Sequence, residues 1–217
     1  MIKQPSFHEG ELAIQQRVGV SEIAHRHARG YRPDIPASLH DWVHQQVMLV
    51  CGSEDAEGHL WASIVMGLPG FIKMLDEHQF TLLNECYAPV SADPLWENLA
   101  HNKRLGGLLI DFVRRLRLRV NGFANQTSKQ AWSVHVDRAY GNCPKYIQSR
   151  RWQLPQAAKP LTSVPSRKGD RLSTAHERWI RQSDTFFIAT SHQEQGLDVS
   201  HRGGPRGFVE VLSDQQL

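Results

Sequence analysis

Cysteine is scarce in this chain of 217 residues, with Cys51, Cys86 and Cys143 the full complement. An odd number with no CxxC pair excludes a disulfide framework and fits reduced thiols in a cytoplasmic setting. No apolar run reaches the roughly 18 residues that a membrane-spanning helix needs, and the opening MIKQPSFHEGEL lacks the apolar stretch of a secretory signal. An excess of charge of either sign is missing too. The formal charge is +3, from 25 Lys and Arg against 22 Asp and Glu, too small and too scattered for a nucleic-acid surface. Gly-x-Ser-x-Gly, Walker and Rossmann fingerprints do not occur. The 12 histidines include His25 and His27, but no HExxH and no Cys/His spacing suits zinc, so no metal is expected. What is there is ordinary for a globular chain: 40% hydrophobic and 22% charged residues, enough length for one large or two small domains.

The local patterns place short helices among short strands. Residues up to about 30 read as helical, with Ser21 as an N-cap and Gly30 just past the end. Pro33 and Pro36 break the chain, and Ser38 with Asp41 suggests a capping box for a brief helix. VMLVCGS, HLWASIVMG, FIKMLD and FTLLNECY then read as strands separated by turns. SADPLWENLAHN reads as a helix with Asp93 capping and Pro94 in its first turn. KRLGGLLIDF, RRLRLRVNGF and AWSVHVDRAY follow as strands, the last with Trp132, Val134 and Val136 on one face. NCPKYIQSRRW, from Asn142 with Pro144, reads as a closing helix. The expected fold class is mainly β with short helices, a barrel rather than a βαβ array, because the helices are too few and short for parallel crossovers.

The pattern then restarts. Residues 155–171, rich in Pro, Ser and Lys, read as a linker. Asp41 to Phe80 and Arg178 to Leu217 align without a gap at one offset of 137 residues. Trp42 meets Trp179, Leu49 meets Phe186, and Gly67, Gly70 and Phe71 meet Gly204, Gly207 and Phe208. A Thr174-x-x-Glu177 capping box introduces the second run. The reading is an N-terminal helical arm (1–36), a barrel domain (37–154), the linker, and an incomplete second copy (172–217). Three strands cannot close a barrel. Either the chain is a truncation of a longer tandem protein, or another chain or the first barrel completes the second copy.

Four stretches carry a resemblance. NKRLGGLLIDFVRRLRLRVNG (102–122) resembles the central hairpin of pyridoxamine phosphate oxidases: Asn, a small-residue and apolar strand, a turn, then an Arg-containing strand ending in Gly. YGNCPKYIQ (140–148) and DVSHRGGPRGFV (198–209) resemble stretches of pyridoxamine 5'-phosphate oxidase-related, FMN-binding proteins, a branch in which two barrels can stand in tandem. The opening FHEGELAIQQRVGV is similar to the start of such proteins. The resemblance implies an FMN-binding split barrel that works as a homodimer or pseudo-dimer. It implies FMN as cofactor and flavin-dependent oxidoreduction of a small-molecule substrate, with a redox partner and with neither nucleic acid nor membrane. The alternative is a non-catalytic binding or docking module whose flavin site has decayed.

FMN asks for cations, hydroxyls and free amides at its phosphate and an apolar wall at its ring. SHRGG is the leading phosphate candidate: Ser200, His201, Arg202 and Gly203 in a Gly-rich turn. The first copy has Ile64, Val65 and Met66 in place of His201, Arg202 and Gly203, so its own turn cannot hold a phosphate in that way. Arg115, Arg117 and Arg119 alternate with apolar residues and fall on one strand face. Arg117 and Arg119 are preferred because they align with the polar end of the oxidase hairpin, although the oxidases carry a Gln at the Arg117 position. Asn84 and Lys103 fall near the family's phosphate or flavin contacts. Cys143 stands at the start of the expected closing helix, where a thiolate would be stabilised. No catalytic acid or base is assigned.

Overall fold

The computed structural model describes residues 7–83, 93–153 and 169–217. The first thirty residues form two helices, α1 (Glu9–Arg17) and α2 (Ser21–Ala28), separated at Gly19, whose φ of +71° belongs to the left-handed region. His8 caps α1 through a capping box with Glu11. Ser21 is not the cap of α2: Val20 holds that position, with no side-chain hydrogen bond. The Ser38–Asp41 box is also not formed. A 3₁₀ turn (Ala37–Leu39) runs into a one-turn helix α3 (His40–His44), which leaves no N-terminus for Ser38 to cap. Among the described residues, no helix is long and apolar enough to cross a membrane.

Seven strands then make one antiparallel sheet: β1 (Met48–Glu54), β2 (Leu60–Met66), β3 (Ile72–Met74), β4 (Gln79–Leu83), β5 (Arg104–Asp111), β6 (Leu116–Ser128) and β7 (Ala131–Gly141). Their order is β2-β1-β5-β6-β7-β4-β3. Val65 of the edge strand β2 and Ile72 of the opposite edge strand β3 belong to the same buried cluster as Leu49, Leu105, Val120 and Val134 of the strands between. A flat sheet cannot bring its two edges to one core, so this sheet is curled into a barrel that remains unpaired between β2 and β3. Helix α4 (Leu95–His101) plugs it with Leu95 and Leu99; Pro94, expected in the first turn, holds the N-cap position instead of Asp93, which accepts a hydrogen bond from the Leu95 amide.

The alternation of β7 holds from Trp132 to Val136 and then slips. The register against β6 shifts between Asn121 and Gly122. A Cβ at Gly122 would stand 1.9 Å from the His135 carbonyl oxygen, so the bulge needs glycine. Beyond it Ala139, not Arg138, faces the core. The closing helix expected after β7 is absent. Residues 142–153 run without helix, and Tyr146 takes φ +70°, which breaks any helical turn begun at Pro144.

The second run repeats the first in detail. Helix α5 (Thr174–Gln182) leads to β8 (Thr185–His192) and β9 (Gly196–Gly203), which pair antiparallel as β1 and β2 do. Its cap is Ser173 with His176, one residue before the Thr174 box read from the pattern. The Gly67 amide donates to the Val47 carbonyl at 3.1 Å, and the Gly204 amide to the Asp184 carbonyl at 3.0 Å, at the same offset. Gly70 (φ +98°) and Gly207 (φ +81°) share the left-handed conformation. The third strand of this run does not form. In the first copy β3 pairs only with β4.

The β8–β9 hairpin lies face-on over the outer surface of β1 and β5. Met48, Val50, Leu108 and Ile110 from the sheet enclose a second buried cluster with Val199, and Phe187 and Ala189 pack against it. This explains why β1 and β5 read as continuous apolar runs rather than alternating ones: both their faces are covered. Close approach requires glycine. A Cβ on Gly106 would stand 2.8 Å from the Asp198 Cα, and one on Gly52 would stand 2.7 Å from Val199 Cγ2. We expect Gly106→Ala to cost about 1–3 kcal/mol of stability by urea denaturation, as overpacking does. Gly141→Ala, whose nearest contact would be 3.9 Å away, should stay within about 0.5 kcal/mol of the parent.

Candidate functional site

Strand β6 carries alternating residues, and its outward set is Arg117, Arg119 and Asn121, while Leu118 and Val120 enter the barrel core. Strand β9 lies above this polar row. The two strands meet through side chains. Arg117 Nη1 donates to His201 Nδ1 at 3.0 Å. Arg119 Nη1 forms a close ion pair with Asp198 Oδ2 and donates to the Tyr140 hydroxyl at 3.1 Å. Asn121 Nδ2 donates to Asp198 Oδ1 at 3.2 Å. The Tyr140 ring packs on Tyr31 with centroids 4.2 Å apart, which ties this layer to the N-terminal arm.

The electrostatics follow from burial. Desolvation, and then the nearby Arg117 and Arg202 guanidiniums, push the His201 pKa down to about 4. The ring is therefore neutral near pH 7. Arg117 can only donate, so Nδ1 is the acceptor and the proton sits on Nε2. That Nε2–H is buried and has no partner among the described residues, and the same holds for Arg117 Nε, Arg119 Nε and Asn121 Oδ1. Burial lowers the pKa of Arg117; Arg119 and Arg202 lower it further, and Cys143 opposes them. Burial and Arg119 lower that of Arg202, against Asp198. Burial also acts against the charge of Arg119, but Asp198 and Tyr140 hold its pKa above the ordinary arginine value. Tyr140 is raised, chiefly by burial, and stays a phenol.

Of the residues singled out from the pattern, Arg117, Arg119, His201 and Arg202 come together here. Arg202 is not in a turn: it lies on β9 opposite Phe186, and the turn begins at Gly204. Ser200 is buried opposite Ile188. Gly203 has a packing role, since a Cβ there would meet the Tyr146 carbonyl oxygen at 2.2 Å. Arg115 does not share the face of Arg117 and Arg119. It sits in the preceding turn with φ +57°, and its guanidinium reaches the Pro144 carbonyl. Lys103 is exposed ahead of β5, at the far end of that strand from Ile110, the partner of Arg117, and stands apart from the cluster. Asn84 lies outside the described residues. Cys143 is exposed beside Arg117 and heads no helix.

Two participants escaped the sequence reading, Asp198 and Tyr140. The aspartate stood in the quoted stretch DVSHRGG, and its partner Arg119 was already suspected; no spacing rule links residues 79 positions apart. A cleft beside this layer, lined by Arg104, Asn121, Phe123 and Gly196, measures about 10 Å³. A larger cavity of about 460 Å³ opens elsewhere, beside Met48, Phe112 and Trp179, and none of the residues singled out line it.

No protein-family model matches the sequence, and no curated protein does. Solved structures align with about half of it. Group A Streptococcus HupZ aligns at 17% identity over 49% of this chain and 93% of its own, with a TM-score of 0.40. A putative pyridoxamine 5'-phosphate oxidase from Lactobacillus delbrueckii aligns at 10% identity over 50% and 95%, with a TM-score of 0.39. A heme-binding protein from Mycobacterium smegmatis aligns at 15% identity over 49% and 54%, with a TM-score of 0.33.

The buried neutral His201 makes a pH prediction. Its folded pKa of about 4 lies below the ordinary 6.5. Stability is full above pH 6.5 and is lost as pH falls towards 4, because only the unfolded chain takes up the proton in that window. The loss is on the order of 3 kcal/mol at about 1.4 kcal/mol per pH unit. Urea melts of the parent and of His201→Gln between pH 7.5 and 4 should show the slope shrinking by that amount in the variant, and equal slopes would refute the assignment. By its curled sheet, open edges and plugging helix, the chain adopts a split β-barrel fold.

Proposed function

We propose that this split barrel is a cofactor-binding protein that takes FMN by its phosphate, in the layer where β9 meets β6. One observation carries the reading. The guanidiniums of Arg117, Arg119 and Arg202 act on one another there, with Asp198 the one carboxylate set against them among the described residues. Arg117 and Arg119 are half-buried and Arg202 is exposed beside them; like charges so placed disfavour each other, and a dianion among them relieves that cost. The unpartnered donors Arg117 Nε, Arg119 Nε and His201 Nε2 lie in the same layer. The donor set therefore fits a phosphate.

When bound, FMN supplies two-electron redox chemistry. The chain's own contribution on this reading is to bind and orient. Arg202 and Arg117 meet the phosphate, the neutral His201 donates through Nε2, and Asp198 fixes the direction of Arg119. The activity would be oxidoreduction of a small molecule, and the residues at hand name no proton donor or acceptor for it.

A second reading, a non-catalytic binding or docking module with a decayed flavin site, is favoured by the ion pair that already occupies Arg119. Absorbance titration of the purified chain with FMN and with riboflavin separates the two. Saturable FMN binding is expected, at least tenfold weaker in Arg202→Ala, a loss of about 1.4 kcal/mol. Riboflavin, which lacks the phosphate, should bind no better than FMN does to that variant. A chain that ignores FMN sinks the first reading and leaves the second.

A further inference from the structure

The 460 Å³ cavity lies between α5, the start of β8 and the outer face of the barrel. Its walls combine two kinds of group. Phe112, Phe187 and Trp179 supply aromatic surface, while Arg150, Asp184 and Arg206 supply charge. Arg150 forms a close ion pair with Asp184, and its guanidinium also lies over the Phe112 ring at 5.7 Å. That hydrogen bond, aided by the nearby charge of Arg206, holds the Asp184 carboxyl below its usual pKa. One carboxylate thus meets two guanidiniums. Arg206 is the surplus cation, exposed and without a hydrogen-bond partner among the described residues.

The internal repeat supplies a control. The first-copy counterparts of Asp184 and Arg206, at the offset of 137, are Val47 and Pro69, both apolar. The counterpart of Trp179 is Trp42, which packs against the barrel core and donates its indole N–H to Asp111 at 3.4 Å. Trp179 is instead 73% exposed. The local fold therefore requires neither charge at these positions nor an open indole. Only the second copy has both, and it has them around one cavity.

We infer that this cavity is a binding site for an aromatic carboxylate, with Arg206 holding the carboxylate and Trp179 and Phe187 flanking the ring. A guanidinium fork matches a planar carboxylate, aromatic walls favour a flat ring, and the volume lies within the range of small-molecule sites, about 300–1,000 Å³. The site shares no residue with the Arg117–Arg202 layer and does not depend on FMN.

Isothermal titration with indole-3-acetate, and with its neutral isostere indole-3-acetamide, tests this on the full chain. One saturable site is expected for the acid, with the amide at least tenfold weaker. Arg206→Ala should weaken the acid at least tenfold while leaving the amide unchanged, and Arg206→Lys should restore part of the loss. Arg202→Ala, which tests the FMN reading, should leave the acid's affinity unchanged. Circular dichroism checks that each variant folds; should Arg206→Ala not fold, the acid–amide ratio and Arg206→Lys still decide. The absence of saturable binding, equal affinity for acid and amide, or an Arg206→Ala chain that binds the acid normally would each overturn the proposal.

Discussion

The β9 backbone comes close enough to β5 that a Cβ on Gly106 would stand 2.8 Å from the Asp198 Cα, and the rest of the arrangement depends on that approach. It lets Val199 enter the cluster on the outer face of β1 and β5 and brings the Asp198 carboxylate onto Arg119. With β9 held there, the outward row of β6 ceases to be a solvent-facing strand and becomes one side of a polar layer. Removing the approach would separate Arg117 from His201 and Arg119 from Asp198 together, because all four depend on the same seat.

That layer is unusual in its balance. Buried guanidiniums are ordinarily matched by carboxylates, and unmatched ones depress one another's pKa. Here two half-buried guanidiniums, Arg117 and Arg119, stand with the exposed Arg202 around Asp198, and several N–H donors are without partners among the described residues. The neutral His201 limits the strain, since a protonated ring would add a fourth cation. A phosphate would relieve the excess, which is why the layer reads as an anion site. The same argument, applied to Arg150, Asp184 and Arg206, gives a smaller surplus of one charge, set beside aromatic walls instead of buried polar atoms.

The two copies show how one supersecondary unit takes on different chemistry. Both keep the glycine conformations and the hydrogen bond from the glycine amide that ends the second strand. The first turns its inner face into the barrel core. The second uses one face of its hairpin to cover the barrel and leaves Phe186 and Ile188 partly exposed on the other. Val65 in the first becomes Arg202 in the second, and Pro69 becomes Arg206. Conserved backbone geometry thus carries apolar packing in one copy and charge in the other.

Much of this was legible in the residues. The strand runs, the helix at Leu95–His101, the repeat at its offset and the mainly β class follow from short-range patterns, because period and turn chemistry are local. The arginines of β6 and the SHRGG stretch were recognisable as cation sources for the same reason. Tertiary structure decided the rest. No local rule says that the second hairpin lies on the outer face of β1 and β5, since its apolar residues could have packed elsewhere. The pairing of Arg119 with Asp198, the loss of charge on His201, the displacement of Arg115 into a turn and the missing helix after Asn142 all depend on contacts distant in sequence. The sequence by itself determined the β pattern, because period and turn chemistry are local; where the charges meet was settled only when β9 came to lie against β6, bringing together side chains 79 residues apart.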